Sequence, residues 1–273
     1  MSRIESFEIE IPQLNRSRIV WVYLPDGYDD GDCFPVIYMQ DGQNCFYDRL
    51  CHFGNSWRAA ETMDEIDAKF GYKAIVVAVE SDERFRLSEY SPWKIAFSAF
   101  KAKRTVAKSR LNRGGDGEKY AEFFAKNLMA EVNSRYKTEK VRQGNAVIGS
   151  SMGGLISAYL GLEYQRQFSH MGLFSTYTEF NQKCWNRFVK KTVISKTMRA
   201  VIYCGGKECD EFTTDKRMKC NSVRLYDDLV RSGVDCRLVL ESGNAHNELS
   251  WRQFFGVFAL DFLQRYYDNL PTE

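Results

Sequence analysis

Short apolar runs recur along the chain at 18–25, 34–40, 73–80, 145–149, 171–176, 199–206 and 235–241. Each is a nearly continuous block bounded by turn formers, the pattern of a strand buried on both faces. Between the later runs the apolar positions change to helical spacing, in KYAEFFAKNLMAEVNSRY (119–136), GGLISAYLGLEYQ (153–165), MKCNSVRLYDDLVRSG (218–233) and NELSWRQFFGVFALDFLQRYY (247–267). Strand–helix alternation predicts a mostly parallel central sheet with helices on both faces. The N-terminal runs have little between them, so antiparallel strands are expected at that end. No repeat, low-complexity tract or linker interrupts the pattern, and the chain reads as one domain, 1–273.

Segment 81–117 departs from this alternation. It has no clear strand periodicity, and from Lys94 to Arg113 it carries seven basic residues and no acidic one, with Trp93, Phe97 and Phe100 interleaved. A long irregular insert in an α/β domain is often a lid or binding loop, the reading taken here; a solvated crossover with a charge run is the alternative.

Composition narrows the classes. At 44% hydrophobic and 27% charged the chain is globular in type, and a net charge of +2 points to neither a nucleic acid nor a membrane surface as partner. Arg3, Glu5, Glu8 and Glu10 prevent an apolar leader core, and no run approaches the ~18 apolar residues of a membrane span, so a cytoplasmic location is expected. The eight cysteines are scattered with no C-x-x-C pair, which reads as reduced thiols. Three histidines, none at ligand spacing from a cysteine pair, give no zinc pattern, and no metal is expected.

The chemistry concentrates at IGSSMGG, where the run 145–149 ends in Gly149-Ser150-Ser151-Met152-Gly153. A strand followed by G-x-S-x-G and a helix is the context in which a tight turn holds the central serine out above the sheet. The flanking glycines avoid clashes there, and the free N–H groups of the following helix suit a developing negative charge. Ser151 is therefore the candidate nucleophile. A serine hydroxyl needs a base, and on this type of sheet the order is Ser, acid, His. Of the histidines beyond Ser151, His170 lies too close behind it and reads as a core or surface residue. His246, in the polar loop ESGNAHNELSW, is the candidate base. His52 precedes the serine and is left as a candidate pocket-lining residue. The acid should follow 199–206, where Glu208, Asp210, Glu211 and Asp215 are available. Glu208 needs the least loop to reach inward, with Asp210 as the alternative. The oxyanion of acyl transfer needs N–H donors: one at Met152, the other from the loop Asp41-Gly42-Gln43-Asn44 that ends the run 34–40.

Nearly the whole chain resembles the esterase D-like, enterobactin esterase-like family of α/β-hydrolases, a group that also holds feruloyl and acetylxylan esterases and mycolyltransferases. VWVYLPDGYDDGDCFPVIYMQDGQNCF is similar to the family's opening strands and D-G-Q-N loop, and RLSEYSPW to its R-x-x-E-Y-(S/T)-P segment. GGDGEKYAEFFAKNLMAEVNSRY, IGSSMGG, GGKE and GNAHNELSWRQFF resemble the helix before the nucleophile strand, the elbow, the acid loop and the histidine loop. The resemblance implies a single-domain α/β-hydrolase fold, with Ser151, His246 and Glu208 as a catalytic triad and backbone donors at Gln43 and Met152. Asp41, Gly42, Asn44, Trp57 and Trp93 are the expected substrate-binding residues. The expected activity is serine carboxylic-ester hydrolysis without a cofactor, on small soluble esters such as acetylated or feruloylated saccharides and aryl esters. A siderophore trilactone, or acyl transfer by the same residues, is the alternative; a non-catalytic binding protein is the remote one. A monomer or homodimer is expected.

Overall fold

Alternation of charged and apolar residues through RIESFEIEI makes the first strand one-sided, with Phe7, Ile9 and Ile11 turned inward and the glutamates outward. A search for continuous apolar runs passes over such an edge strand. The computed structural model describes residues 1–30, 33–51, 53–96, 113–195, 197–209 and 213–269. His52, Asp210, Glu211 and positions 97–112 of the basic insert lie outside the described residues.

The strands are β1 (Arg3–Ile11), β2 (Arg16–Leu24), β3 (Val36–Met39), β4 (Ile75–Val79), β5 (Asn145–Ser150), β6 (His170–Phe174), β7 (Arg199–Lys207) and β8 (Asp235–Ala245). They form one sheet in the order β1-β2-β4-β3-β5-β6-β7-β8. β1 pairs antiparallel with β2 and β2 with β4, as the tight N-terminal spacing predicts; every other pairing is parallel. β3, β4 and β5 are buried along their whole length, because parallel strands covered on both faces have no solvent side. β8 differs from the expected fully buried strand: it is the far edge and is largely exposed.

The helices are α1 (Ala59–Phe70), the single turn α2 (Arg86–Glu89), α3 (Gly117–Phe123) running through a π turn into α4 (Met129–Arg135), α5 (Met152–Glu163), α6 (Gln182–Lys191), α7 (Asp215–Arg231) and α8 (Glu248–Asp268). One face of the sheet packs against α3 to α7, through residues such as Phe124, Leu155, Trp185 and Leu225. The other packs against α1 and α8, through Met63, Trp251, Phe255 and Phe262. The pleat divides β5 between the two layers, Ala146 and Ile148 to one and Val147 to the other. Among the described residues, no helix is long and apolar enough to cross a membrane.

The chain leads into and out of the basic segment at one place. Lys94 bridges Gly114, the Ile95 N–H donates to Arg113 O at 2.9 Å and the Ala96 N–H to Phe180 O at 2.8 Å. Gly114 has φ +92° and lies under the Trp93 carbonyl, so no side chain fits there.

His170 starts β6, at the end of the sheet away from the Ser151 turn, so it cannot serve that serine as base. It is 7% exposed, its Nδ1 lies 2.8 Å from Ser169 Oγ and its ring meets Phe262 edge-on. Burial pushes its pKa from 6.5 down to about 3, Arg199 and Arg265 act in the same direction and Asp261 against it. The unfolded chain takes this proton near 6.5 and the folded one only near 3, so the neutral site stabilises the fold fully above 6.5 and progressively less as pH falls. We expect the melting temperature to drop between pH 7 and pH 5, and to drop less in His170→Gln; equal pH slopes in thermal melts of the two proteins would refute this.

Candidate active site

Ser151 stands between β5 and α5 with φ 56° and ψ −121°, a conformation that non-glycine residues seldom adopt. Strain of this kind persists only where the surroundings over-determine it. Here the Ser151 N–H donates to Phe174 O at 2.8 Å, and the Ser151 carbonyl accepts from Tyr177 N at 3.2 Å. The glycines on either side are required for packing. A Cβ on Gly149 would lie 2.5 Å from the Gly153 backbone, so the strand and the helix can fold over the turn only if this position is bare. Met152 opens α5, where the first N–H groups have no partner within the helix.

Glu208 follows β7 and is 0% exposed. Its Oε2 lies 2.5 Å from His246 Nδ1, while Oε1 accepts from Ser175 Oγ at 2.7 Å and from the Gly205 N–H at 2.6 Å. Burial alone would push this carboxyl up. The His246 hydrogen bond and charge, with those from Ser175 and Gly205, outweigh burial and hold it below the usual carboxylate range. An ionised Glu208 can only accept, so the proton of a neutral His246 sits on Nδ1 and Nε2 is left as the basic nitrogen. The imidazole is 13% exposed and packs against Trp251 at 5.0 Å, the two rings nearly perpendicular. The Trp251 indole N–H in turn donates to Ser175 Oγ at 3.0 Å.

The loop after β3 carries Asp41 in the left-handed region, at φ 55°, followed by the 3₁₀ turn Gly42–Asn44. The unusual turn is made by Asp41 rather than by the glycine beside it. Gly42 is needed because a Cβ there would meet the Ala78 carbonyl oxygen at 2.5 Å. The Asp41 carboxylate is bound by both Arg86 Nε (2.7 Å) and Nη2 (2.8 Å) and by Ser81 Oγ (2.6 Å). The Gln43 side chain exchanges two hydrogen bonds with Ser81. Among the described residues no backbone carbonyl accepts from the Gln43 N–H.

Ser151, Met152, His246, Gln43 and Asn44 open onto one cavity of about 640 Å³ at the C-terminal ends of the parallel strands. In open α/β sheets that is where ligands bind. Leu87, Phe180 and Met218 give the cavity an apolar wall, and Arg86 and Arg113 bring cationic groups. The family model described as "Putative esterase" matches residues 11–253. The chain belongs to that esterase family.

Within and beyond the family, the chain is 25% identical over 155 residues to the uncharacterized protein YbbA of Bacillus subtilis (strain 168), a match covering 56% of this chain and 54% of that one. The chain thus spans about half the length of the curated relative it matches. A ferulic acid esterase superposes with a TM-score of 0.71 at 14% identity, over 97% of this chain and 98% of that one. The enterobactin esterase FES from Shigella flexneri, in the presence of enterobactin, superposes with a TM-score of 0.74 at 16% identity, over 96% of this chain and 60% of that one.

Three expected substrate contacts of this esterase-family chain are elsewhere: Gly42 is packed against the Ala78 backbone and does not line the cavity. Trp57 is 2% exposed and packs on Phe174, Trp251 and Phe255, a core residue behind the histidine rather than a wall of the cavity. Trp93 packs among Tyr159, Trp185 and Phe188 and does not line it. An aromatic ring offers as much to a core as to a ligand, and composition does not separate the two. Ser175, Ser81, Glu248 and Trp251 were not singled out. Arg86 and Trp251 fall inside motifs that carried the family resemblance, which was the available signal; Ser175, with φ 45°, has none in the sequence. Removing Arg86 would leave the Asp41 carboxylate, 6% exposed, without its cation. We expect Arg86→Met to lower unfolding stability by about 3 kcal/mol in urea titrations; a loss below about 0.5 kcal/mol would class the pair with screened surface ion pairs.

Proposed function

We propose that this chain is a serine carboxylic-ester hydrolase that works through an acyl-enzyme on small soluble esters. The observation that carries the reading is the meeting, on one cavity, of a serine held at φ 56° after a buried strand and a histidine whose Nδ1 is 2.5 Å from a buried carboxylate. In this reading Ser151 Oγ attacks the ester carbonyl carbon while His246 Nε2 takes its proton, and Glu208 stabilises the resulting imidazolium. The oxyanion is held by the N–H groups of Met152 and Gln43. As the tetrahedral intermediate collapses, the bond to the alcohol oxygen breaks and His246 gives that oxygen the proton. Water, deprotonated by His246, then attacks the acyl-serine, and Ser151 leaves as the free hydroxyl. Asp210, the alternative acid, is not needed for this scheme, since Glu208 already bonds the imidazole.

Leu87, Phe180 and Met218 suit an apolar or aryl group on the ester, in keeping with the likeness to a ferulic acid esterase. The likeness to a structure of an enterobactin esterase with enterobactin favours a second reading, a siderophore lactone as the ester. Segment 81–117 is proposed to border the substrate, since its described residues Glu83, Arg86, Leu87 and Arg113 line the cavity.

The test is hydrolysis of p-nitrophenyl acetate and butyrate, methyl ferulate and a catechol trilactone by the wild type and by Ser151→Ala and Glu208→Gln. Ser151→Ala should lose about 10³-fold or more in kcat, and Glu208→Gln a comparable amount, because its amide oxygen is held by the Gly205 N–H and its NH2 then faces His246 Nδ1, which leaves the proton on Nε2. Full activity in Ser151→Ala, or no turnover of any ester by the wild type, would refute the reading. The substrate with the highest kcat/KM chooses between the aryl and the lactone reading.

A further inference from the structure

Glu248 is the first residue of α8, two positions after His246, and takes no part in the Glu208–His246 pair. It is 5% exposed and yet lines the cavity. Its Oε1 accepts from Asn44 Nδ2 at 2.8 Å, across 204 residues of sequence. Asn44 ends the turn Gly42–Asn44, one residue after the Gln43 N–H. The bond therefore joins the loop that offers an oxyanion donor to the loop that carries the base. Glu248 Oε2 and Asn44 Oδ1 are buried without a hydrogen-bond partner among the described residues. Among the described residues neither side chain makes a second side-chain hydrogen bond.

Each loop is stiff on its own side of the cavity. Asp41 is locked to Arg86 and Ser81, and Asn44 O accepts from Trp57 N at 2.8 Å. On the other side the Asn247 side chain caps α8 by accepting from the Ser250 N–H, and Ser250 Oγ accepts from the Ala245 N–H. What these bonds leave open is the spacing between the two loops. Burial pushes the Glu248 carboxyl up and Asp41 adds to this, while Arg86 and His246 oppose it; the Cys45 and Cys51 thiols also face it. A carboxyl that resists ionisation keeps its acceptor oxygen without placing a full negative charge beside a developing oxyanion.

We propose that the Asn44–Glu248 hydrogen bond clasps the oxyanion loop to the histidine loop, which makes Glu248 a positioning residue for the ester hydrolysis proposed above, on which this inference rests. Donors and base must both meet atoms of one tetrahedral intermediate, and a misplacement of about 1 Å can cost about 100-fold in rate. The clasp acts on the transition state rather than on substrate binding, and its signature is a fall in kcat with little change in KM.

The experiment is steady-state hydrolysis of p-nitrophenyl butyrate by the full chain, with folding checked by circular dichroism and thermal melts. Glu248→Ala should lower kcat about 10- to 100-fold with KM within about threefold of wild type. Glu248→Gln, which keeps an oxygen for Asn44 Nδ2, should recover most of that loss. Asn44→Ala should match Glu248→Ala, and the double variant should be no worse than either single one, since both remove the same bond. Additive losses, equal impairment of the Gln and Ala variants, or a rise in KM at unchanged kcat would overturn the clasp. If Glu248→Ala does not fold, the Glu248→Gln and Asn44→Ala pair still decides, with loss expected only in the second. A Ser151→Ala control that stays active would bring down the esterase reading itself, and the clasp with it.

Discussion

A carboxylate buried at the end of β7 sets the terms for much of the structure around it. Glu208 has no solvent exposure, and an ion in that position is tolerable only when nearly every lone pair is occupied. The Gly205 N–H, Ser175 Oγ and His246 Nδ1 supply those partners from the acid's own strand, from the turn after β6 and from the loop after β8. Three separate elements must therefore end at one point. Ser175 adopts φ 45° to reach it, and Trp251 donates to the same hydroxyl while walling His246. The ionic demand of one side chain thus becomes a geometric constraint on β6, β7 and α8 together.

Parallel packing delivers the rest of the site to the same edge. β3, β5, β6 and β7 all point the same way, so the turns that follow them, at Asp41, Ser151, Ser175 and Glu208, emerge side by side. Three of those four turns hold a non-glycine residue at positive φ. Conformations of this sort cost about 1 to 3 kcal/mol each and are kept where surrounding packing leaves no alternative. The packing is visible at Gly149 and Gly42, where a single added methyl group would strike the backbone of a neighbouring element.

How much of this could be read from the chain depended on how local each feature was. The elbow was legible because its demands fall within five consecutive residues, and the order of strands and helices because buried parallel strands are continuous apolar runs. His246 and Glu208 were reached through chain order and nearness to a strand end, and the structure brings them together. β1 was missed because an edge strand alternates; α1 and α6 were missed too, although α6 keeps an apolar face through Trp185 and Val189. Trp57 and Trp93 were misplaced for a different reason: both carry the chemistry of a pocket wall, but the core claimed them. Ser175 left no trace at all. A lone serine after a strand has its meaning only through Glu208 and Trp251, 33 and 76 residues further along.

The same distinction separates groups that can be found by motif from groups that make a motif work. G-x-S-x-G clears the space for a hydroxyl held out of the sheet within five consecutive residues. Gln43 and His246 have no such local guarantee, because they lie on opposite sides of β5 in loops far apart in sequence. Both loops open on one cavity, and each is rigid within itself through bonds to its own neighbours. The Asn44–Glu248 hydrogen bond is a side-chain contact made directly from one loop to the other. A hydrolase of this design needs its donors and its base correct relative to one another, more than it needs either placed correctly in the fold. A bond between them controls that relative position directly, whereas stiffening each loop further would not.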